Sequence, residues 1–407
     1  MNFLFSAFRA LVMLPLLSSP MLLAKKEGCC PVPTGSLVVP TEQFGVADMQ
    51  ISSKRCIAIA DFVSGRVFLY SLDDKTSTID PLVKDTISVP GASGLAFSPC
   101  GNCLVVTDYH RTVTIFTLNH DGCTVDKTIL PGIFTFDEAT YPVPVRPLYA
   151  SFSPNGKCVA VGLTATAQVA LFKLNKRCCA FKDQPILIAT PSTVDCASNA
   201  TDCVGGLSYS PNGSCFAVSN YVNNTITLFK VDKCGCNLIT PGNVYPMNGL
   251  PAKLAFSPGG NCLAVSDFNN GVAKMFSVKD CQATEVPTPN GIFAFLGLAF
   301  TKDGNCLLTT YFADALASYR IDKGTCQAVE VQLLPSARVS EMVISGKSVV
   351  VLANEADPAR LVLRSYRLKG CNSNSGLGRQ KTSANAADFF KSMAFAKSGR
   401  SISATRS

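Results

Sequence analysis

The chain has 407 residues, 47% of them hydrophobic and 16% charged, with 29 glycines and 24 prolines, a globular composition that excludes overall disorder and a collagen-like fibre. At about 100–200 residues per domain, the length accommodates two or three domains or one larger closed all-β unit. The formal charge of +8 is concentrated at the ends, +2 over residues 1–27 and +5 over 371–407, leaving +1 between them, which argues against binding a nucleic-acid backbone.

Residues 10–23 are an apolar run broken by Pro15 and Pro20, preceded by Arg9 and followed by Lys25 and Lys26. The run is short for a transmembrane helix and reads as a secretory signal, residues 1–24, with cleavage after Ala24. An uncleaved anchor is the alternative. Residues 25–35 form a lead-in.

From there the chain repeats. The segment Gly94–Asp108, GLAFSPCGNCLVVTD, recurs with variations from Ala150, Gly206, Lys253 and Gly297, and more weakly over Met49–Asp61 and Met342–Asn354, where Ser348 replaces the cysteine. From Cys56 to Ser348 the six intervals average about 49 residues, giving seven repeats. In the clearest copies, such as Ser153–Gly156 and Ser210–Gly213, Pro, Asn and Gly supply turn chemistry between two short strands. An alternating run such as Thr225–Val231, TITLFKV, reads as a half-buried third strand, and a fourth follows another polar turn. Four-stranded units at this spacing predict an all-β, seven-bladed β-propeller over residues 36–370 with four antiparallel strands per blade. The last repeat lacks an outer strand after Leu368, and Ser36–Val39 is spare at the start. The N-terminal strand is therefore expected to close the last blade.

The run SPNG, the short apolar strand ending in Asn or Asp, the stretch NNTITLF and the following VDK with a glycine two places on resemble the YVTN/lactonase-type seven-bladed propellers. They are similar more distantly to WD repeats, although the chain has no Trp. The resemblance covers roughly residues 36–370. It implies the fold more firmly than an activity, since such families include sugar-lactone hydrolases, surface-layer proteins and binding scaffolds.

Nineteen cysteines favour an oxidising compartment, secreted or periplasmic. One opens the second strand of each central repeat and another lies near the turn before the fourth, which predicts one disulfide per blade: Cys103 with Cys123, Cys158 with Cys178 or Cys179, Cys215 with Cys234 or Cys236, Cys262 with Cys281, and Cys306 with Cys326. Within one blade the second and fourth strands are about 9–10 Å apart, so the later cysteine must lie in or beside the turn to bridge. Cys56 has no partner in its own repeat. Cys196 and Cys203 are expected to close their own loop, and Cys371 to approach Cys29 or Cys30.

Chemistry-bearing residues are sparse. There are two histidines, His110 and His120, no zincin, nucleophile-elbow or phosphate-loop motif, and no cofactor or metal is expected. Cys100-Gly-Asn-Cys103 reads as a hairpin tip rather than a redox or zinc site. The candidate ligand-binding residues lie in the turns between second and third strands: Asp61 and Phe62, Asp108, Tyr109, His110 and Arg111, Asn220 and Tyr221, Asp267 and Phe268, Tyr311 and Phe312, Asn354 and Glu355. Such turns gather on one face of a propeller around its channel, although Asp and Asn also cap turns by binding backbone amides. Two longer inter-blade loops, Leu130–Leu148 with Asp137, Glu138 and Arg146, and Ala189–Gly205, are places for specificity. Asn199, Asn212 and Asn223 lie in glycosylation sequons.

The first functional expectation is an exported, non-enzymatic scaffold binding a protein or small ligand, with no nucleic-acid partner. The alternative, implied by the family resemblance, is a hydrolase of sugar lactones using His110, Arg111, Arg146 and Glu355. A surface-layer component is a third. The basic tail 371–407, with Phe389, Phe390, Met393 and Phe395, is expected to be disordered, and its charge suits contact with an envelope surface.

Overall fold

The computed structural model describes residues 30–369 except 41–45, 142–144, 176–178, 192–202, 289–291, 293, 295, 312–314, 336–337 and 357–358. The signal, the lead-in up to residue 29 and the tail lie outside the described residues. Within them the chain forms seven four-stranded antiparallel sheets and no helix. Six take four consecutive strands each. The seventh joins Arg338–Ser345, Ser348–Ala356 and Ala359–Lys369 to the N-terminal strand Cys30–Val38, which pairs from Cys30 opposite Lys369 to Val38 opposite Val362. The N-terminal strand thus closes the ring, starting earlier than the expected Ser36.

Each second strand is sandwiched between neighbouring blades, so it reads as a continuous apolar run instead of an alternating one. Cys56–Asp61, Cys103–Asp108, Cys158–Leu163, Cys215–Asn220 and Cys262–Asp267 are buried at every position. The hairpins before the second strands of blades 2–6 have a common chemistry. The hydroxyls of Ser98, Ser153, Ser210, Ser257 and Thr301 accept the backbone N–H of Cys103, Cys158, Cys215, Cys262 and Cys306 at 2.9–3.1 Å. Gly101, Gly156, Gly213, Gly260 and Gly304 occupy positive φ at the tips, where a side chain would be strained. The innermost strands of adjacent blades approach closely: a Cβ on Gly94 would lie 1.9 Å from the Leu148 carbonyl oxygen, so a side chain there would collide with the next blade.

The disulfides do not stay within blades. They join Cys56 to Cys123, Cys103 to Cys179, Cys158 to Cys236, Cys215 to Cys281 and Cys262 to Cys326, with Cα separations of 5.1–5.6 Å. Each links the start of a second strand to the third turn of the following blade. The expected pairs Cys103–Cys123, Cys158–Cys178 or Cys179, Cys215–Cys234 or Cys236, Cys262–Cys281 and Cys306–Cys326 are therefore corrected. The physical reason is stacking: blades pack face to face, and the third turn of one lies over the second strand of its neighbour, whereas its own second strand lies two strand spacings away. Cys56, without a partner in its own repeat, finds one in the next. Cys234 is a free, exposed thiol, and Cys178 lies outside the described residues. Cys30, Cys203 and Cys306 are also disulfide-bonded, while Cys29, Cys196 and Cys371 lie outside the described residues.

At the junction between blade 7 and blade 1 the corresponding positions carry serines. Ser348 opens the second strand of blade 7, Ser77 lies in the third turn of blade 1, and their hydroxyls are 2.8 Å apart. Ser77 has φ of 62°, matching 62° at Cys281 and 60° at Cys326. A hydrogen bond thus occupies the place of a staple where strand pairing across the chain ends already closes the ring.

Candidate functional site at the channel mouth

Antiparallel order places the first and third turns at one end of every blade and the second turns, with the inter-blade connections, at the other. The stapled cysteines occupy the first end. The second end carries the candidate residues around the channel mouth.

Most of the acidic candidates there are occupied in holding their own turns. Asp61 Oδ1 accepts the N–H groups of Val63 and Ser64 at 3.0 and 3.1 Å. Asp108 Oδ1 accepts those of His110, Arg111 and Thr112 at 2.7–3.0 Å, and Asp267 Oδ1 those of Asn269 and Asn270. Asn220 donates through Nδ2 to Thr225 and Thr227. Asp61 Oδ2, Asn220 Oδ1 and Asn354 Oδ1 are buried acceptors without a donor among the described residues. The aromatics bridge neighbouring turns: Phe62 meets Tyr109 edge to face at 5.7 Å, and Tyr221 meets Phe268 at 6.2 Å. Tyr311 ends the second strand of blade 6, but its side chain and Phe312 lie outside what is described.

Of the four residues expected for lactone chemistry, two come together. The guanidinium carbon of Arg146 lies 5.3 Å from the ring centroid of Tyr109, and the ring of His110 lies 6.4 Å from the same tyrosine on edge. The close approach is made possible by Gly91, where an added Cβ would lie 2.8 Å from the imidazole. Arg146 has φ of 43° and directly precedes the innermost strand of blade 3, Pro147–Phe152, so its backbone turns at the mouth itself. His110 is exposed. Arg111 is engaged elsewhere: its Nη1 donates to the carbonyls of Phe136 and Tyr141 at 3.2 and 2.9 Å, and Glu138 lies 3.7 Å from its Nε. Glu355 sits in blade 7, two blades from His110, paired with Arg360 at 2.6 Å and Arg364 at 3.0 Å. Hydrogen bonds from those two arginines hold its carboxyl below the usual carboxylate range. Arg111 therefore holds the loop that leads into blade 3, and Glu355 holds its own hairpin.

Sequence reading missed a polar belt inside the channel. Lys253 of blade 5 has its Nζ 3.6 Å from Asp48 of blade 1 and 3.4 Å from Glu341 of blade 7. Burial opposes the ammonium charge, but Glu341 and Asp48, with a smaller contribution from Tyr149, outweigh it and hold the amine well above its ordinary value. Asp48 is itself anchored, accepting the N–H groups of Met49 and Leu95 at 2.9 Å each. All four residues stand at one place in the repeat, the place filled by glycine in Gly94, Gly206 and Gly297. Aligning the repeats on that column was the signal that could have found the belt.

Against known proteins, a family model described as "Lactonase, 7-bladed beta-propeller" matches residues 147–286. No curated protein matches. Among solved structures, a Bacteroides uniformis protein provisionally described as a 6-phosphogluconolactonase aligns with a TM-score of 0.59 at 16% identity, over 76% of this chain and 89% of that one. The likeness to the lactonase-type seven-bladed propellers, expected from the repeat motif, is borne out over residues 147–286 by the family model and around the whole ring by the architecture.

Proposed function

We propose that the protein is an exported hydrolase of the lactonase type, opening the ring of a sugar lactone at the channel mouth of blades 2 and 3. The observation that carries this reading is the grouping of His110 and Arg146 around Tyr109, within a fold whose middle third matches a lactonase family model. His110 takes the proton of the attacking water as the water oxygen bonds to the carbonyl carbon, and the imidazolium then returns it to the ring oxygen as the acyl C–O bond breaks, leaving the open hydroxy acid; an imidazole is the side chain suited to such acid–base work near neutral pH. Arg146 faces the carbonyl oxygen as negative charge develops on it, and no covalent intermediate is required. Tyr109 orients both groups. The belt of Lys253, Asp48 and Glu341 forms a charged constriction in the channel that limits how far a ligand enters. Export is supported by the inter-blade disulfides, which persist in oxidising compartments.

The test is hydrolysis of five- and six-membered aldonolactones by purified, unreduced protein, followed by acid release. Turnover above the spontaneous rate is the expected result. A protein that binds lactones or other ligands without turnover supports the scaffold reading instead.

A further inference from the structure

At the opposite end of the blades lies a feature independent of the lactonase reading. A groove of about 710 Å³ lies between blades 3 and 4, beside the Cys158–Cys236 staple, and three of its lining residues are Lys157, Lys173 and Lys182. That volume suits a small organic ligand. Leu174 and Ile186 give it an apolar wall, and the free thiol Cys234 opens onto it.

The charge of this groove is a departure from the repeat. Residue 173 lies opposite residue 182 in the register set by the Leu174–Phe181 bridge, and the Lys182 N–H donates to the Lys173 carbonyl at 2.9 Å. The same backbone bond joins Asp80 to Ser71 in blade 1 and Asp126 to Thr117 in blade 2. Those blades place a carboxylate opposite a hydroxyl, whereas blade 3 places an ammonium opposite an ammonium. Like charges in such a pair repel, and a third, Lys157, faces the same space. Among the described residues none of the three makes an ion pair. Asp232, the one carboxylate lining the groove, uses Oδ1 to accept the N–H groups of Cys236 and Asn237 at 3.0 and 3.2 Å.

We infer that this groove binds a small, multiply charged oxyanion ester, phosphate or sulfate, whose anionic group sits among the three ammonium groups and whose carbon skeleton lies along Leu174 and Ile186. The ligand relieves the repulsion that the fold leaves in place.

Cys234 supplies the readout. Native protein is alkylated with iodoacetamide, and modification of the peptides carrying Cys234 and Cys100, the exposed free thiol on blade 2, is quantified by mass spectrometry. Inorganic pyrophosphate, a sulfated disaccharide and an uncharged disaccharide are compared at constant ionic strength. One or both charged probes are expected to slow alkylation of Cys234 at least threefold and saturably, leaving Cys100 unchanged, and which of them does so identifies phosphate or sulfate as the preferred group. In the Lys173→Gln, Lys182→Gln variant the protection is expected to disappear, with the Cys158–Cys236 bond intact by peptide mapping as a check on folding. Absence of protection by either anion, equal protection by the neutral sugar or at Cys100, or protection that survives in the variant overturns the proposal. Lactone turnover is unaffected by any of these results.

Discussion

The two ends of the blades follow different rules. At the stapled end the repeats are nearly interchangeable: a hydroxyl accepts the N–H of the residue opening the second strand, a glycine turns the tip, and a cysteine reaches the next blade. At the mouth the corresponding turns diverge, from Asp61-Phe62 to Tyr109-His110-Arg111 to a blade 3 strand that ends in Leu163 without an acidic cap. Repetition marks the places where each blade meets the same structural demand. Divergence marks the places where one blade does something the others do not, and the mouth is where exposed side chains are carried on a rigid support.

The largest effect is expected between the two ends, at the channel belt. Lys253→Met leaves Asp48 and Glu341 facing each other without their cation, and removing one partner of such a buried arrangement is expected to cost about 3–5 kcal/mol. Denaturant unfolding measures this, and a loss under about 1 kcal/mol contradicts the assigned role. At the stapled end, replacing Cys262 and Cys326 together by serine is expected to cost about 2–4 kcal/mol, as for a long closed loop. The Cys103→Ser, Cys123→Ser pair sharpens the test. These residues belong to one blade but to two staples, so peptide mapping is expected to find Cys56 and Cys179 both released as thiols. If a single bond joined Cys103 to Cys123, neither would be released.

The unstapled junction offers the converse. Ser77→Cys with Ser348→Cys is expected to form a further inter-blade bond and raise stability by about 2 kcal/mol, seen as a rise in Tm under oxidising conditions that vanishes on reduction. The smallest effect is at the mouth of blade 7. The Glu355 carboxyl is held low in the folded state, so its contribution is present above the unfolded value of about 4.3 and is lost as pH falls through the lower folded value. Glu355→Gln is expected to change stability at pH 7 by under about 1 kcal/mol, since the pair is partly exposed, and to reduce the acid sensitivity of Tm below pH 4.3.

Much of the ring was legible in the residues because its demands recur. Seven copies of one strand-turn-strand motif fix the blade number, and the missing outer strand after Leu368 points to the N-terminal strand. The disulfide partners were not legible from spacing. A separation of about 20 residues such as that between Cys103 and Cys123 reports position within a repeat, whereas the bond depends on which faces stack. The same limit applies at the mouth: Glu355 and His110 occupy similar turns, and only the ring shows that Glu355 is claimed by Arg360 and Arg364. Lys253, Asp48 and Glu341 were hidden because each reads as an isolated charge until the repeats are aligned on the glycine they replace.

Lactone hydrolysis by the native protein, His110→Ala and Glu355→Gln, measured under identical conditions, separates catalysis at the mouth of blades 2 and 3 from a structural role. Loss of the general base is expected to lower kcat/KM by about 100-fold or more, while Glu355→Gln stays within about twofold of native. Equal losses in the two variants, or a His110→Ala protein as active as the native one, contradict the claim.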